Sequence, residues 1–263
     1  MIDGHMHLEY GPLTKEYVME FVNAAVKNRM DEIQILDHTH RFSDFRPIYE
    51  GVAKASPYQE EWLNNKEMKF HNTLDEYVAL IEEMKKEDLP IKVSFGLEVC
   101  YVPEYKEKIK EILAPYHFDF LVGAIHSIDG LLYDMQWSEE ILWKKYSVDE
   151  IYKRYYECIF SLIESDLFTQ LAHPDTIKLF GYYPTYDMLP TYEKMAELLN
   201  THHMKAENNV GCYYRYHTKD IGLSDELLEI LKKNHVPMIT ASDAHHPMDV
   251  GRNIPDVYEE TMS

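Results

Sequence analysis

The sequence predicts one barrel-like α/β domain. Short apolar runs alternate with amphipathic segments from end to end, which is the signature of a parallel sheet built from βαβ units. No repeat and no linker-like stretch interrupts them, and 263 residues suit a single barrel. Hydrophobic residues make up 45% of the chain, enough for a core and too many for a disordered polymer.

The first strand is expected at MIDGH (1–5), where positions i and i+2 share a face. A helix from Thr14 to Arg29 sets Val18, Phe21, Val22, Ala25 and Val26 on one side. EIQIL (32–36) reads as the second strand. Segment 41–72, carrying Arg41, Arg46, Trp62 and His71, is long for a connection and reads as a lid insertion over a site. Thr73 and Glu76 then form a capping box that opens a helix through Lys86.

IKVSFGLEV (91–99) is the third strand, and a helix follows Pro103, a residue suited to a first turn. FDFLVGAI (118–125) is the fourth. Ser147 and Glu150 make a second capping box, starting a helix to Glu164. FTQLA (168–172), KAENN (205–209) and VPMITAS (236–242) complete seven strands. Helices near Asp187–Asn200 and Ser224–Asn234 fill the remaining gaps.

Composition narrows the function. A formal net charge of −20 argues against nucleic acid and against an anionic membrane surface, both of which attract basic proteins. No apolar run approaches the roughly 20 residues that span a bilayer. The first strand is too short and too polar for a signal peptide. Cys100, Cys158 and Cys212 show neither zinc-type spacing nor an even count, so a reducing cytoplasm is the expected location.

Chemistry-bearing residues gather where the strands end. In order they are His5 and His7, His38 and His40, Glu98, His126, His173, Glu207 with Asn209, and Asp243 with His245. The carboxyl ends of barrel strands are where active sites form. A lone His126 or His173 is more often a hydrogen-bonded structural histidine. Metal-type side chains at every strand end are another matter. His117, His202, His203 and His235 fall off this pattern, while His40 and His246 each stand beside a better candidate. Imidazoles with a few carboxylates and no thiolate suit zinc, iron or manganese. About ten such residues, at three or four per ion, imply two or three divalent ions.

HMH at 5–7, LDH at 36–38, GLE at 96–98, AIHS at 124–127, AHPD at 172–175 and SDAH at 242–245 resemble the PHP (polymerase and histidinol phosphatase) superfamily. The resemblance runs across essentially the whole chain, and the length and the KAENN segment are most similar to monofunctional histidinol-phosphate phosphatases. It implies a distorted (β/α)7 TIM-like barrel, a single PHP domain over 1–263, and a trinuclear centre. By motif, His5, His7, Glu98 and Asp243 would hold the first metal. Glu98 would bridge to a second held by His126 and His173. His38 and His245 would hold a third with a ligand from the first loop. Many relatives carry another histidine shortly after His-x-His; this chain does not, and Glu9 is the nearest substitute.

The resemblance further implies hydrolysis of L-histidinol phosphate to L-histidinol and phosphate, a step of histidine biosynthesis. Three divalent ions bring about +6, and Glu9, Glu98 and Asp243 remove about three, leaving a cationic pocket for a phosphate dianion. The expected nucleophile is water between the first two metals, since coordination lowers its pKa from 15.7 to about 7. Asp243 is expected to be essential. Arg215 and Arg41 are expected to clamp phosphate, ahead of Arg154 and Arg252, because the guanidinium fork matches its oxygens. His40 or His71 would protonate the leaving alkoxide.

Another PHP phosphoesterase, acting on phosphotyrosine or nucleotides, would share the ligands and differ in pocket lining. A metal-storage or regulatory protein would bind metal and release no phosphate. The expected partner is a small phosphorylated substrate, with no nucleic acid and no membrane; the sequence assigns no oligomeric state.

Overall fold

β-Rich runs bounded by caps and turns condense into seven parallel strands in the computed structural model, which describes residues 1–263. In spatial order they are β1 (Ile2–His7), β2 (Glu32–Leu36), β3 (Lys92–Cys100), β4 (Phe120–Ala124), β7 (Gln170–Leu171), β8 (Lys205–Asn209) and β9 (Met238–Ala241). The last strand reaches round to the first. The His7 N–H donates to the Ala244 carbonyl at 2.8 Å, and the Ser242 N–H and hydroxyl donate to the Asp3 carboxylate at 2.8 and 2.6 Å. The sheet is thus nearly closed as a barrel in one domain.

β1 runs two residues beyond the expected MIDGH, and its register against β2 slips between Asp3 and Met6. That extension places both His5 and His7 within the strand, on the same side. On β3, Phe95, Leu97 and Val99 enter the main core, while Glu98 between them points the other way.

The capped helices form where the sequence places them. α1 (Lys15–Lys27) is capped by Thr14, and α4 (Leu74–Met84) and α6 (Val148–Ile163) each open on a complete capping box. The helix after Pro103 begins as a tight 3₁₀ turn and becomes α5 (Lys106–Leu113). α7 (Leu189–Thr201) and α9 (Asp225–Lys233) follow the expected helices closely. Unforeseen elements are α2 (Glu50–Ala55), α3 (Pro57–Leu63), α8 (Gly211–Tyr216) and α10 (Ile254–Met262). A two-strand hairpin of β5 (Ser127–Ile128) and β6 (Leu131–Leu132) turns on Asp129 and Gly130, both with positive φ. No helix is long and apolar enough to cross a membrane.

Segment 41–72 is packed down onto the barrel. Phe42, Phe45, Ile48 and Val52 are buried, and Phe42 pairs with Asn72 at the neck. Arg41 pins that neck from inside. It donates to the Leu8 and Gly11 carbonyls, to Asp37 Oδ2 and to Asn72 Oδ1, all at 2.7–2.9 Å.

Candidate metal centre

The strand ends bring nine side chains into one cluster. His5 Nε2 and His7 Nε2 stand 2.9 Å apart, and Asp243 Oδ1 lies 3.3 Å from the second and 3.9 Å from the first. Glu98 faces two ways. Its Oε1 meets His126 Nε2 at 3.2 Å and His173 Nε2 at 3.1 Å. Its Oε2 lies 2.6 Å from His38 Nδ1, 3.5 Å from His7 Nε2 and 3.6 Å from His5 Nε2. Glu9 Oε2 sits 3.5 Å from His38 Nε2 and 3.7 Å from His245 Nε2.

The donor set fits divalent cations. Glu98 Oε2 is buried without a properly directed hydrogen bond although three ring nitrogens crowd it. Nitrogen lone pairs and carboxylate oxygens converging in this way suit a cation between them. Groups such as His5–His7–Asp243 and His38–Glu98–His126 have ligand atoms close enough to share one ion. Outer carboxylates set the rings: His5 Nδ1–H donates to Glu207 Oε1 at 2.7 Å and His126 Nδ1–H to Asp134 Oδ2 at 2.8 Å. Each interaction leaves Nε2 facing the cluster, as a ligating imidazole requires.

The electrostatics point the same way. Burial opposes charge on His5, yet Glu207 and Glu98 outweigh it and raise its pKa well above the ordinary value. His126 is raised likewise against burial, by Asp134 and Glu98. His7 is pushed well down by burial and by the neighbouring His38 and His245. Burial takes His245 down to about 4 despite Asp243. Burial also works against charge on Glu98 and Asp243. Histidines overcome it for Glu98, and Arg215 with histidines for Asp243, so both stay well below the usual carboxylate range. Without a cation, therefore, protons on some imidazoles must balance the carboxylates; a metal takes over that role.

Two of these residues occupy strained backbone positions. Asp243 has φ 57° and His173 φ 26°, in the region that side chains other than glycine rarely enter. Gly211, opening α8, makes room for the first of them. A Cβ there would stand 2.6 Å from Arg215 Nη2 and 2.8 Å from Asp243 Cβ.

A cavity of about 580 Å³ opens above the cluster, with Tyr10, Trp62, Tyr214, Tyr216 and Arg252 among its walls. Arg215 reaches it while donating to Asp243 Oδ2 at 2.7 Å. Arg41 does not: its guanidinium is buried and engaged with four acceptors in the neck, which corrects its expected phosphate role. His71 is exposed and lines no part of the cavity, so it is no proton donor there. Arg154 pairs with Asp129 away from the cavity, and Arg252 reaches its wall paired with Asp249 at 2.8 Å.

His40 faces the cavity, pressed edge-on to Trp62. Burial and the nearby Lys69 ammonium hold its pKa well below the ordinary value, so it is neutral. Lys69 was not foreseen. Buried in the 41–72 insertion, it donates to His40 Nε2 at 3.1 Å and Glu9 Oε1 at 3.2 Å, and lies 4.3 Å from the Trp62 ring centre. Glu207 gathers four donors, and only its place on the KAENN strand hinted at this.

Comparison with known proteins agrees with this arrangement. The PHP domain family matches residues 3–211. A Bacillus subtilis protein named histidinol-phosphatase is 24% identical over 271 residues, covering 95% of each chain. The structure of a candidate histidinol phosphatase from Listeria monocytogenes superposes with a TM-score of 0.75 at 19% identity, covering 97% of this chain and 99% of that one. A histidinol phosphate phosphatase from Lactococcus lactis, crystallised with zinc, L-histidinol and phosphate, gives 0.68 at 16% identity, covering 98% and 93%. At these identities the superpositions speak for the fold. With the family match spanning most of its length, and the motif residues gathered at one rim, the chain belongs to the PHP domain family.

Proposed function

We propose that this protein is a metal-dependent phosphomonoesterase that hydrolyses L-histidinol phosphate to L-histidinol and phosphate. One observation carries the reading: buried Glu98 offers each carboxylate oxygen to a different set of imidazole nitrogens, as a carboxylate shared by two cations would. The substrate comes from the relatives, one named for this activity and another holding zinc, L-histidinol and phosphate.

His5, His7, Glu98 and Asp243 would hold one ion, and Glu98, His126 and His173 a second. Glu9, His38 and His245 would complete a third site. Zinc suits these donors, as do manganese and iron. Bound ions supply positive charge for the phosphoryl oxygens and acidify water towards a pKa of about 7.

The chain's own residues do the rest. Glu207 and Asp134 hold His5 and His126 in the tautomer that leaves Nε2 free. Arg215, both of whose terminal nitrogens already donate to Asp243, lines the cavity and offers only its remaining N–H groups to a phosphoryl oxygen. Because His40 is neutral, the mobile proton of this wall sits on Lys69, whose own pKa burial lowers. Lys69 is thereby placed to protonate the leaving alkoxide. Segment 41–72 serves as the cover that keeps Trp62, Lys69 and Tyr49 over the reacting group. Free Cys100, Cys158 and Cys212 support a reducing, cytoplasmic setting.

Phosphate release from histidinol phosphate, phosphotyrosine, a nucleoside monophosphate and a phosphodiester separates the alternatives. Histidinol phosphate should be preferred in kcat/KM by about 100-fold or more. Preference for another ester would overturn the substrate assignment.

A further inference from the structure

The corner of the rim cavity where Glu9, His38, His40 and His245 meet holds a positive charge of the chain's own. The Lys69 side chain is 6% exposed, and its ammonium is enclosed on three sides. It lies 4.3 Å from the centre of the Trp62 ring, donates to Glu9 Oε1 at 3.2 Å, and stands 3.1 and 3.3 Å from the two ring nitrogens of His40. The backbone fixes this approach. The Lys69 N–H donates to the Asn65 carbonyl, and that of Phe70, which has φ 54°, to the His40 carbonyl, both at 2.8 Å.

Glu9 is thereby shared. Its Oε2 faces the third-ion donors, His38 Nε2 at 3.5 Å and His245 Nε2 at 3.7 Å, while Lys69 takes its Oε1. Glu9, His38 and His40 also have ligand atoms close enough for one ion, but the ammonium already touches two of the three.

The ion sites differ in the negative charge they offer. The first has the Asp243 and Glu98 carboxylates, and the second has Glu98. The third has Glu9 alone, paired with Lys69. His38 is drawn away as well, its Nδ1 lying 2.6 Å from Glu98 Oε2. An ammonium and a divalent ion on one buried carboxylate repel each other where water screens poorly.

We propose that Lys69 is a built-in cation that competes with the third ion for Glu9, so that two sites fill tightly and the third only at free metal levels at least about tenfold higher. This order of filling rests on the metal centre proposed above.

Equilibrium dialysis of the metal-free full chain against buffered free zinc, with ions counted per chain, tests it. The wild type should bind two ions and take up a third in a separate, weaker step. Lys69→Met keeps a stem against Trp62 and removes the charge, as does Lys69→Gln should the first variant not fold. In either, the third ion should tighten about tenfold or more while the first two stay within about twofold. Lys69→Arg keeps the charge and should leave the third ion weak. Three ions binding to the wild type without a weaker step overturn the proposal, as does third-ion affinity unchanged by loss of the charge. A chain that binds no zinc would overturn the metal centre and this proposal together. The readout is the ion count, independent of turnover, in which Lys69 has its own part.

Discussion

Replacing Glu207 by glutamine probes the support beneath the metal centre. Four donors meet this carboxylate. His5 Nδ1 at 2.7 Å and Gln170 Nε2 at 2.8 Å share Oε1; Asn209 Nδ2 at 3.0 Å and the His173 N–H at 3.2 Å share Oε2. An isosteric amide has a single oxygen. If that oxygen stays with His5, the new NH₂ group faces two donors, and Asn209 cannot turn away cheaply because its Oδ1 accepts the Gly211 N–H at 2.9 Å. Hydrogen bonds to a charged acceptor are worth about 1.5–3 kcal/mol each, so losing two costs about 3 kcal/mol or more. That corresponds to a fall of about 6–12 °C in melting temperature. The His5 tautomer loses its charged anchor as well, which should weaken metal binding about 10- to 100-fold. Thermal melts and metal retention against graded chelator measure the two effects. A variant with wild-type melting temperature and metal affinity would refute the role given to Glu207.

Three further perturbations test other parts of the structure. Gly211→Ala drives a methyl against Arg215 and Asp243, so kcat should fall about 100-fold with the fold intact by circular dichroism; an active variant would show that this close approach is dispensable. Arg41→Met leaves buried Asp37 without its partner, at a cost of about 3–5 kcal/mol, and should lower the melting temperature by about 10 °C with KM unchanged. A large rise in KM at an unchanged melting temperature would return Arg41 to phosphate binding. Glu76→Gln removes charge from the α4 capping box. Hydrogen bonds from Asn72 and the Thr73 N–H hold the Glu76 pKa below its usual value. The wild-type advantage should therefore be full at neutral pH and fade as acid protonates the carboxylate, between about pH 5 and 3. Denaturant melts across that range check it, and an advantage that grows on acidification would reverse the assignment.

Strand ends are the most legible part of this chain. Period-two apolar runs locate the strands, and polar residues just beyond them must face one rim, so His38, Glu98, His126, His173 and Asp243 can be placed together without coordinates. Capping boxes at Thr73 and Ser147 are legible for a similar reason, since both partners lie within four residues. What escaped depends on long-range side-chain direction. Arg41 adjoins the His38 motif, but its guanidinium turns back to the Leu8 and Gly11 carbonyls, 33 and 30 positions earlier, which no local pattern records. Lys69 sits in an irregular insertion without periodicity, and only folding brings it to Glu9, sixty residues earlier. The β5–β6 hairpin did leave a signal, the Asp129–Gly130 pair, in a run too short to read as strand.

Metal content and phosphate release from histidinol phosphate, measured on one sample before and after exhaustive chelation, bear most directly on a shared-carboxylate metal centre. Two or three divalent ions per chain are expected, with turnover lost on their removal and recovered as they are returned. Full turnover from metal-free protein, or a metal-loaded chain that releases no phosphate from this ester, would contradict the account.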